Sequence, residues 1–496
     1  MKAYQTLLFL CSVLLLMVGV CLIYPEEGIS LFGKTFYFPS LEKAMTKSSH
    51  DTESAEEKLR KAEEEVRIQF ERDSMAAVLA EQMAAETQDS LAFVDTLNNY
   101  RKFFAESTAR IYCANDDSSG LFDLFEELDK CAEGRESIHI LHYGDSQIES
   151  DRITAYVREE LQKKFGGWGA GLIPAIQPIP SISVGQTSSD TLRRWLVDGS
   201  LEKRMNHDRY GVMGQMAEVK SSVKLGIAAR DWKKTFSHVK KFSKVRLLVG
   251  NTGENFSATI SYKGKDSTQV IAEANGYMTT LTWQLSENIQ SFDLKIHGSG
   301  ELYAISLESR TGVYVDNIPL RGSSGTFFTR ISSSLLKESM SELNVRLILL
   351  EFGGNATPHM YDSTFVTKYR TNLDRQLKHL KKACPNAQIL FIGPADMSVM
   401  RKGELQTYPQ LPMVIDSLKD VSLSNDAMFW DMYEVMGGRN SMIKWVEHDP
   451  AWAAPDYIHF TESGTKRIAD VFVQSFMNYY DYYCFLKRHK KWSHLE

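Results

Sequence analysis

Residues 138–151 read Ile-His-Ile-Leu-His-Tyr-Gly-Asp-Ser-Gln-Ile-Glu-Ser-Asp, and this stretch decides the fold class. Its first half combines β-branched and apolar residues in the pattern of a buried strand, which stops at Gly144. A helical pattern over 151–165 follows, so Asp145 and Ser146 lie on a predicted strand-to-helix turn. Such a turn can present an activated serine, and the N–H groups of the following helix favour developing negative charge. Taken alone, the Gly-Asp-Ser triplet is more typical of an ordinary turn with a capping serine.

Strands and helices alternate again in the C-terminal part of the chain. Continuous apolar runs such as 347–350 are typical of parallel strands that are buried on both faces. The predicted strands are 345–352, 388–393 and 428–431, and the predicted helices are 361–383, 411–421 and 464–480. Together with 138–165, this alternation predicts an α/β fold, a three-layer α/β/α sandwich.

The middle of the chain has a different pattern, with a period of two residues. Short alternating segments separated by turn residues predict strands at 244–249, 256–262, 278–284, 291–297 and 302–308. Regular short strands of this kind are typical of an antiparallel sandwich or jelly roll. We therefore expect a discontinuous α/β domain over 117–175 and 316–496, interrupted by an inserted jelly-roll-like β-sandwich over 176–315.

The N-terminus contains a predicted membrane helix. Residues 6–24 carry no charged side chain, and a run of this length can span a bilayer as a helix. Lys2 precedes the run and Glu26 follows it, which favours an N-terminus in the cytoplasm. We expect a single-pass signal anchor within 1–24. A cleaved leader is the alternative, although no small-x-small cleavage site is clear.

Residues 51–116 are predicted to form a helical stalk. From 51 to 112 there is neither proline nor glycine, and Leu59, Ala62, Val66 and Phe70 recur at helical spacing. The pattern predicts a long amphipathic helix that holds the rest of the chain away from the membrane. Two alternatives stay open: a coiled-coil dimer with an imperfect heptad, and a helix that packs back onto the main domain.

Charge and cysteine content exclude several classes of function. The net charge of −6 comes without a basic stripe, which argues against nucleic acid as a partner. The six cysteines are too few for a disulfide scaffold and form no Cys-x-x-Cys pair. Cys113 and Cys131 flank a short helical stretch, where a bridge and two separately buried thiols are both consistent with the sequence. No cluster has metal-ligand spacing, so no metal or cofactor is expected.

Three further motifs end predicted strands or precede a helix where an α/β sheet delivers residues to one edge. They are Arg-Gly-Ser-Ser-Gly-Thr at 321–326, Glu-Phe-Gly-Gly-Asn at 351–355 and Asp-Tyr-Ile-His at 456–459. With Gly-Asp-Ser at 144–146 they resemble, in order, the four blocks of the SGNH (GDSL-type) hydrolase superfamily. The resemblance covers 137–480 without the β insert.

The resemblance implies the chemistry of acyl transfer. Ser146 corresponds to the nucleophile, His459 to its general base and Asp456 to the carboxylate that orients the imidazole. The donors that stabilise the oxyanion in this family correspond to the Ser146 N–H, the Gly325 N–H and the Asn355 side chain. The scheme uses no metal or cofactor.

Two departures from the family pattern limit this correspondence. Gln147 replaces the leucine that usually follows the serine, and Ala356 replaces the usual acidic residue after the asparagine. Gly322 also precedes a plausible turn and is an alternative to Gly325. Asp145 is interpreted as a structural carboxylate that supports the serine turn.

One branch of the superfamily is more similar than the others. It consists of exported bacterial enzymes that act on O-acetyl groups of peptidoglycan or other polysaccharides and carry a β domain between the first two blocks. The resemblance implies an O-acetylesterase for cell-envelope glycans, anchored in a bacterial membrane with its catalytic domain in the periplasm. The alternatives are an O-acetyltransferase that works with a membrane acyltransferase, and a non-catalytic glycan-binding scaffold. In the insert, Tyr262, Tyr277 and Trp283 either stack on sugars or are core and cross-strand residues.

Overall fold

A computed structural model describes residues 52–82, 89–190 and 192–489, together with 29–31, 34–36 and isolated positions before them. Within these ranges, no helix combines the length and the apolar composition needed to cross a membrane. The predicted signal anchor at 1–24 lies outside the described residues, apart from the isolated positions.

Helices and strands alternate through the described ranges, except for a long run of strands in the middle. The helices are α1 (Thr52–Gln82), α2 (Asp89–Glu106), α3 (Phe122–Ala132), α4 (Thr154–Phe165), α5 (Ser333–Glu342), α6 (Ser363–Ala383), α7 (Leu411–Leu423), α8 (Met432–Met436), α9 (Ser441–Glu447) and α10 (Glu462–Arg488).

The strands before and within the middle region are β1 (Ile29–Leu31), β2 (Lys34–Phe36), β3 (Ile111–Tyr112), β4 (Ser137–Gly144), β5 (Gly171–Ile173), β6 (Val184–Ser188), β7 (Arg193–Leu196), β8 (Gln215–Val219), β9 (Ser222–Ala229), β10 (Phe242–Gly250), β11 (Phe256–Tyr262), β12 (Lys265–Ile271), β13 (Thr279–Ile289), β14 (Ser291–His297) and β15 (Gly300–Glu308). After it come β16 (Gly312–Pro319), β17 (Val345–Glu351), β18 (Gln388–Ile392), β19 (Ser398–Arg401), β20 (Glu404–Thr407) and β21 (Met428–Trp430).

Parallel strands with one antiparallel edge strand form the sheet that positions the site. Their order is β16-β4-β17-β18-β21-β3, and β3 pairs antiparallel with β21. Numbered along the chain, the parallel strands run 2-1-3-4-5, so the strand order reverses between β4 and β17. In open α/β sheets, ligands bind outside the carboxyl ends of the strands beside such a reversal. The topology therefore favours a site formed by the segments that follow β4 and β17.

Helices cover both faces of this sheet. Ile140 and Leu349 face a core that α4 and α10 complete, whereas their neighbours Leu141 and Leu350 face a core shared with α5, α6 and α7. All four side chains are buried. Because consecutive residues of a strand point to opposite faces, a continuous apolar run fills both cores. The predicted three-layer α/β sandwich is confirmed.

Two antiparallel sheets lie between α4 and β16 in the chain. One has the order β13-β10-β15-β8-β7 with β5 added on β15, and the other has the order β12-β11-β14-β9-β6. Their apolar side chains form a shared core that includes Val245, Leu247, Ile260, Leu294 and Ile305. We call this region the antiparallel region. It occupies the place of the predicted insert, and its jelly-roll character stays a prediction.

The borders of the antiparallel region differ from the predicted 176–315. β5 pairs with β15, which extends the region back to Gly171. β16 pairs in parallel with β4 along its whole length, from Gly312 to Pro319, so the chain has already returned to the α/β sheet at 315. Most of β16 is buried on both faces, and it therefore belongs to the parallel sheet rather than to the period-two pattern.

The three aromatic residues singled out in this region have different environments. Trp283 is buried and its indole N–H donates to the Ser267 carbonyl at 3.0 Å, so it is a core residue. Tyr277 is exposed. Tyr262 lines an open groove of about 440 Å³ together with Arg230 and Asp293.

α1 and α2 pack back onto α10. Leu59, Ala62 and Val66 are buried in the same core as Ile468, and the Phe104 ring stacks on Tyr479 with 4.4 Å between centroids. A free stalk is therefore wrong for the described part of 51–116, and packing onto the main domain, the open alternative, is what the structure shows. Three residues of the apolar stripe proposed as a dimer seam, Leu59, Ala62 and Val66, are buried within one chain, whereas Phe70 is partly exposed.

The cysteines beside α3 are not bridged. Cys113 and Cys131 are both buried free thiols. Burial raises the pKa of each thiol to about 12, which keeps both protonated near neutral pH.

A buried ionic cluster joins the antiparallel region to the parallel sheet. Arg246 Nε of β10 donates to Glu308 of β15 at 2.7 Å, and Arg246 Nη2 lies 3.0 Å from His139 Nε2 of β4. The other ring nitrogen of His139 lies 2.6 Å from Asp316 of β16. Burial opposes charge on Glu308, but its contacts with His139, Arg246 and Lys244 hold its pKa well below its usual value. The cluster is therefore charged and ties the two sheets together.

Candidate active site

Ser146 lies directly beyond the carboxyl end of β4. It begins a short turn of 3-10 type, Ser146–Asp151, and the Asp145 side chain caps this turn by accepting the Gln147 N–H at 2.9 Å. The close approach of this turn favours glycine at 144, because a Cβ there would lie 2.9 Å from Ile148 Cδ1 and 3.3 Å from Glu351 Cβ. The predicted helix at 151–165 begins only at Thr154. The turn thus separates the serine from α4.

His459 and Asp456 lie on the loop before α10 and reach this turn. Ser146 Oγ is 2.8 Å from His459 Nε2, and His459 Nδ1 is 2.7 Å from Asp456 Oδ2. The other Asp456 oxygen accepts the N–H groups of Ile458 and His459, each at 3.0 Å. The three predicted residues therefore form one hydrogen-bonded chain, although 313 residues separate Ser146 from His459.

The electrostatics of this chain suit proton transfer. Partial burial acts to raise the pKa of Asp456, but the N–H group and ring of His459 lower it below its ordinary value. A charged Asp456 keeps the proton of a neutral imidazole on Nδ1 and leaves Nε2 free to accept the serine proton. The geometry can thus generate a nucleophilic serine oxygen.

Asn355 lies on the turn after β17, across the strand reversal from Ser146. Its amide nitrogen donates to Asp145 Oδ2 at 2.9 Å and to the Ser323 carbonyl at 3.2 Å. Burial above all, together with the Glu351 carboxylate, raises the pKa of Asp145 to about 7, although the Gln147 N–H acts in the opposite direction. Asp145 therefore has the supporting position expected of it, between the serine turn and Asn355.

Gly325 is the third predicted oxyanion donor, and its surroundings differ from those of Ser146 and Asn355. It is buried, its N–H donates to Ser323 Oγ at 3.1 Å, and it is not among the described residues that line the cavity beside Ser146. Its φ of 79° and the Phe352 ring, 2.8 Å from a Cβ at this position, explain why the residue is glycine. Gly322 has a φ of 77° but lies in open space. The structure brings Ser146, His459, Asp456 and Asn355 together, and the role of Gly325 as an oxyanion donor stays a prediction.

Gln147 connects the serine turn to the histidine loop. Its side-chain nitrogen donates to the Ile458 carbonyl at 2.6 Å, and its side-chain oxygen accepts the Phe460 N–H at 3.4 Å. These partners lie on either side of His459. Arg152 adds a second connection, because its guanidinium donates to the carbonyls of Ser146 and Phe460. Sequence reasoning recorded Gln147 only as a departure from the family pattern.

The cavity beside Ser146 has a volume of about 230 Å³. Ser146, His459 and Asn355 line it, together with Glu351 and Asp396 and with His359, Met397 and Tyr408. Asp396 is fully buried and accepts from Thr407 Oγ1 and the Met442 N–H, each at 2.8 Å, and burial raises its pKa to about 6. Sequence reasoning missed Asp396. Its place shortly after the Gly-Pro that ends β18 is the signal that could have indicated it.

Comparison with solved structures identifies the fold. A peptidoglycan O-acetylesterase is similar to this chain with a TM-score of 0.57, at 21% identity over 72% of this chain and 95% of its own. The chain resembles the SGNH hydrolases. A putative GDSL-like lipase from Parabacteroides merdae is 16% identical over 34% of this SGNH-like chain and 74% of its own, with a TM-score of 0.26. A family two carbohydrate esterase from Cellvibrio japonicus is 9% identical over 60% of this chain and 99% of its own, with a TM-score of 0.24. No protein-family model and no curated protein matches the sequence.

Proposed function

We propose that this SGNH-like protein is a serine esterase that removes O-acetyl groups from cell-envelope glycans. The observation that carries the proposal is the hydrogen-bonded chain Ser146–His459–Asp456 at the wall of a cavity. The similarity in fold to a peptidoglycan O-acetylesterase supports the choice of an acetylated glycan as substrate.

The reaction proceeds through an acetyl-enzyme. Ser146 Oγ attacks the acetyl carbonyl carbon while His459 Nε2 takes the serine proton. The tetrahedral intermediate then collapses, the bond from the carbonyl carbon to the sugar oxygen breaks, and His459 returns the proton to that oxygen. Water activated by His459 attacks the acetyl-serine, which releases acetate and restores the hydroxyl. Asp456 stabilises the imidazolium at each stage.

The oxyanion is stabilised by the Ser146 N–H and the Asn355 amide. Asn355 Nδ2 donates to two protein oxygens, on Asp145 and Ser323. One of them must therefore be exchanged for the oxyanion as negative charge develops. Removing one such donor typically slows the reaction by about 100- to 1000-fold.

The direct test uses the full-length protein and a chromogenic acetate ester. The wild type should release acetate, and a serine-directed phosphonate should label Ser146, as read by peptide mass spectrometry. Ser146→Ala should abolish both, whereas Ser221→Ala, at an exposed serine of the antiparallel region, should change neither. Absence of label from Ser146 in the folded wild type would refute the proposal. If the acetyl group is transferred only to an added glycan acceptor and not to water, the protein is a transferase.

We also propose roles for the regions around the catalytic part. The groove beside Tyr262 contacts glycan. Residues 1–24 anchor the chain in a bacterial membrane, with the catalytic part in the periplasm. Tyr262→Ala should weaken co-sedimentation with insoluble cell-wall glycan. The catalytic part should be digested by protease added to spheroplasts, and protection of it would contradict the proposed orientation.

A further inference from the structure

A second cavity, of about 290 Å³, lies where the antiparallel region meets the parallel sheet. We call it the junction cavity. Its wall includes Glu149 and Asp151 from the turn that begins at Ser146, Leu320 after β16, and Pro174 and Arg194 from the antiparallel region. None of the described residues lines both this cavity and the one beside Ser146. The two cavities therefore share a turn of the chain but are separate spaces.

The carboxylates that face the junction cavity already have cationic partners. Each of them is paired with an arginine: Asp151 with Arg158 at 2.8 Å, Asp198 with Arg330 at 2.5 Å, and Glu149 with Arg321 at 3.6 Å. Within each pair, the positive charge of the arginine offsets the negative charge of the carboxylate. Among the described residues of its wall, the remaining cation is Arg194, which therefore decides the charge balance of the cavity.

Arg194 carries a half-buried guanidinium that has no anionic partner among the described residues. It donates to the Gln215 side-chain oxygen at 3.4 Å, and no carboxylate in the described part of the chain forms an ion pair with it. Burial lowers the pKa of Arg194. Taking a charge out of water is unfavourable unless a counter-charge accompanies it. A ligand that carries an anion would supply that counter-charge.

We propose that the junction cavity binds an acidic sugar of the glycan chain, with the sugar carboxylate paired to Arg194. A planar guanidinium matches the two oxygens of a carboxylate, which favours this pairing over a contact with a neutral hydroxyl. Glu149 Oε1 is buried without a hydrogen-bond partner in the described structure and accepts a sugar hydroxyl. The apolar wall at Leu172, Pro174 and Leu320 covers the C–H face of the ring.

The position of the cavity links this subsite to the proposed reaction, on which the inference rests. Glu149 and Asp151 belong to the same short turn as Ser146, and Ser183 of the antiparallel region hydrogen-bonds to Asp151. Because different residues of the turn 146–151 line the two cavities, we place the acidic sugar in the same glycan chain as the acetylated sugar at Ser146. The antiparallel region thus contributes directly to the choice of substrate.

The test compares two acetylated oligosaccharides of equal length, an oligouronate and a xylo-oligosaccharide, with a chromogenic acetate as reference. For the wild type, kcat/KM should be higher for the oligouronate. Arg194→Gln should reduce the ratio of kcat/KM for the acidic substrate to that for the neutral one by about tenfold or more, since a hydrogen bond to a charged group contributes strongly. Arg194→Lys should give an intermediate ratio, because it keeps the charge but loses the planar pair of donors.

The matched control is Arg193→Gln. Arg193 is the sequence neighbour of Arg194, but its guanidinium stacks over the Trp195 ring at 3.5 Å and does not line the cavity. This variant should keep the wild-type ratio. An unchanged ratio in folded Arg194→Gln would overturn the inference, and so would an equal loss with both glycans. Failure of the wild type to hydrolyse even the chromogenic acetate would instead count against the proposed esterase.

Binding without turnover provides a second measurement. In the Ser146→Ala background, a de-acetylated oligouronate should bind in calorimetry, and adding Arg194→Gln should weaken the binding by about tenfold or more. Equal binding by the two proteins would contradict the assignment of Arg194. This measurement is independent of catalysis, so it separates loss of the subsite from loss of the chemistry.

Discussion

Gln147 holds His459 in place from the side of the nucleophile. Its amide bonds to the backbone of Ile458 and Phe460, the residues on either side of the general base. Gln147→Leu, which restores the residue usual in SGNH hydrolases, removes both hydrogen bonds at similar volume. Since each such bond contributes about 1 kcal/mol, we expect kcat to fall by roughly 10- to 30-fold with little change in KM. Steady-state kinetics on the chromogenic acetate measure kcat and KM separately.

Gln290→Leu is the matched control for that substitution. Gln290 is exposed between β13 and β14 and does not line the cavity beside Ser146, so its replacement should leave kcat unchanged. If Gln147→Leu raises KM and spares kcat, Gln147 binds substrate instead of positioning His459.

Single residues show both the strength and the limit of inference from sequence. Ser146, His459 and Asp456 were predicted because four short motifs occur in the family order, and the structure brings them within hydrogen-bond distance. Gly325 was predicted as an oxyanion donor and that role stays a prediction, whereas the Phe352 ring and a positive φ explain why the residue is glycine. A sequence does not distinguish a glycine that donates to a ligand from one that makes room for a neighbour.

At the scale of elements, the docking of α1 on α10 can be tested with two positions of the same helix. Leu59 is buried, whereas Phe70 is 44% exposed, although both belong to the predicted apolar stripe. Leu59→Ala should lower the free energy of unfolding by about 2–5 kcal/mol, since it leaves a cavity in the core. Urea denaturation followed by circular dichroism measures the change.

Phe70→Ala serves as the control on the same helix, and its effect should stay below about 1 kcal/mol because the ring is partly exposed. Equal effects of the two substitutions would contradict the packing of α1. A protein shortened to begin at 117 should be less stable than the full chain for the same reason, because it uncovers the face of α10 that α1 and α2 bury.

The elements that were predicted well share a physical feature. β17 and β18 are buried on both faces, and their apolar runs locate them within a residue of the observed ends. β6 and β7 were missed because most of their side chains are partly exposed and alternate weakly. The helical stripe of α1 was recognised, but a stripe does not reveal its partner. In the structure, the partner of this stripe is α10.

At the scale of the whole molecule, buried carboxyl groups make stability depend on pH. Burial raises the pKa of several aspartates: Asp73 and Asp145 to about 7, and Asp396, Asp431 and Asp481 to about 6. In the unfolded chain these groups ionise near pH 4. Between about pH 4 and 7 the folded state therefore binds more protons than the unfolded state, and this contribution to stability decreases as pH rises.

Denaturant titrations at pH 5 and pH 7 measure this dependence. The free energy of unfolding should fall less between these pH values in Asp396→Asn than in the wild type, because the amide does not ionise. Asp266→Asn, at an exposed position of β12, should reproduce the wild-type slope. A wild-type slope in Asp396→Asn would show that Asp396 is ionised in the folded protein at pH 5.

The interruption of the α/β sheet by the antiparallel region also sets an order of synthesis. β4 pairs with β16 and β17, yet the ribosome makes the antiparallel region before either of them. About 200 residues separate β4 from β17, which corresponds to roughly 10–40 s of translation. In the described part of the chain the strands of the antiparallel sheets pair only among themselves, so all their partners are synthesised before the strand that leads to the nucleophile gains its own neighbours.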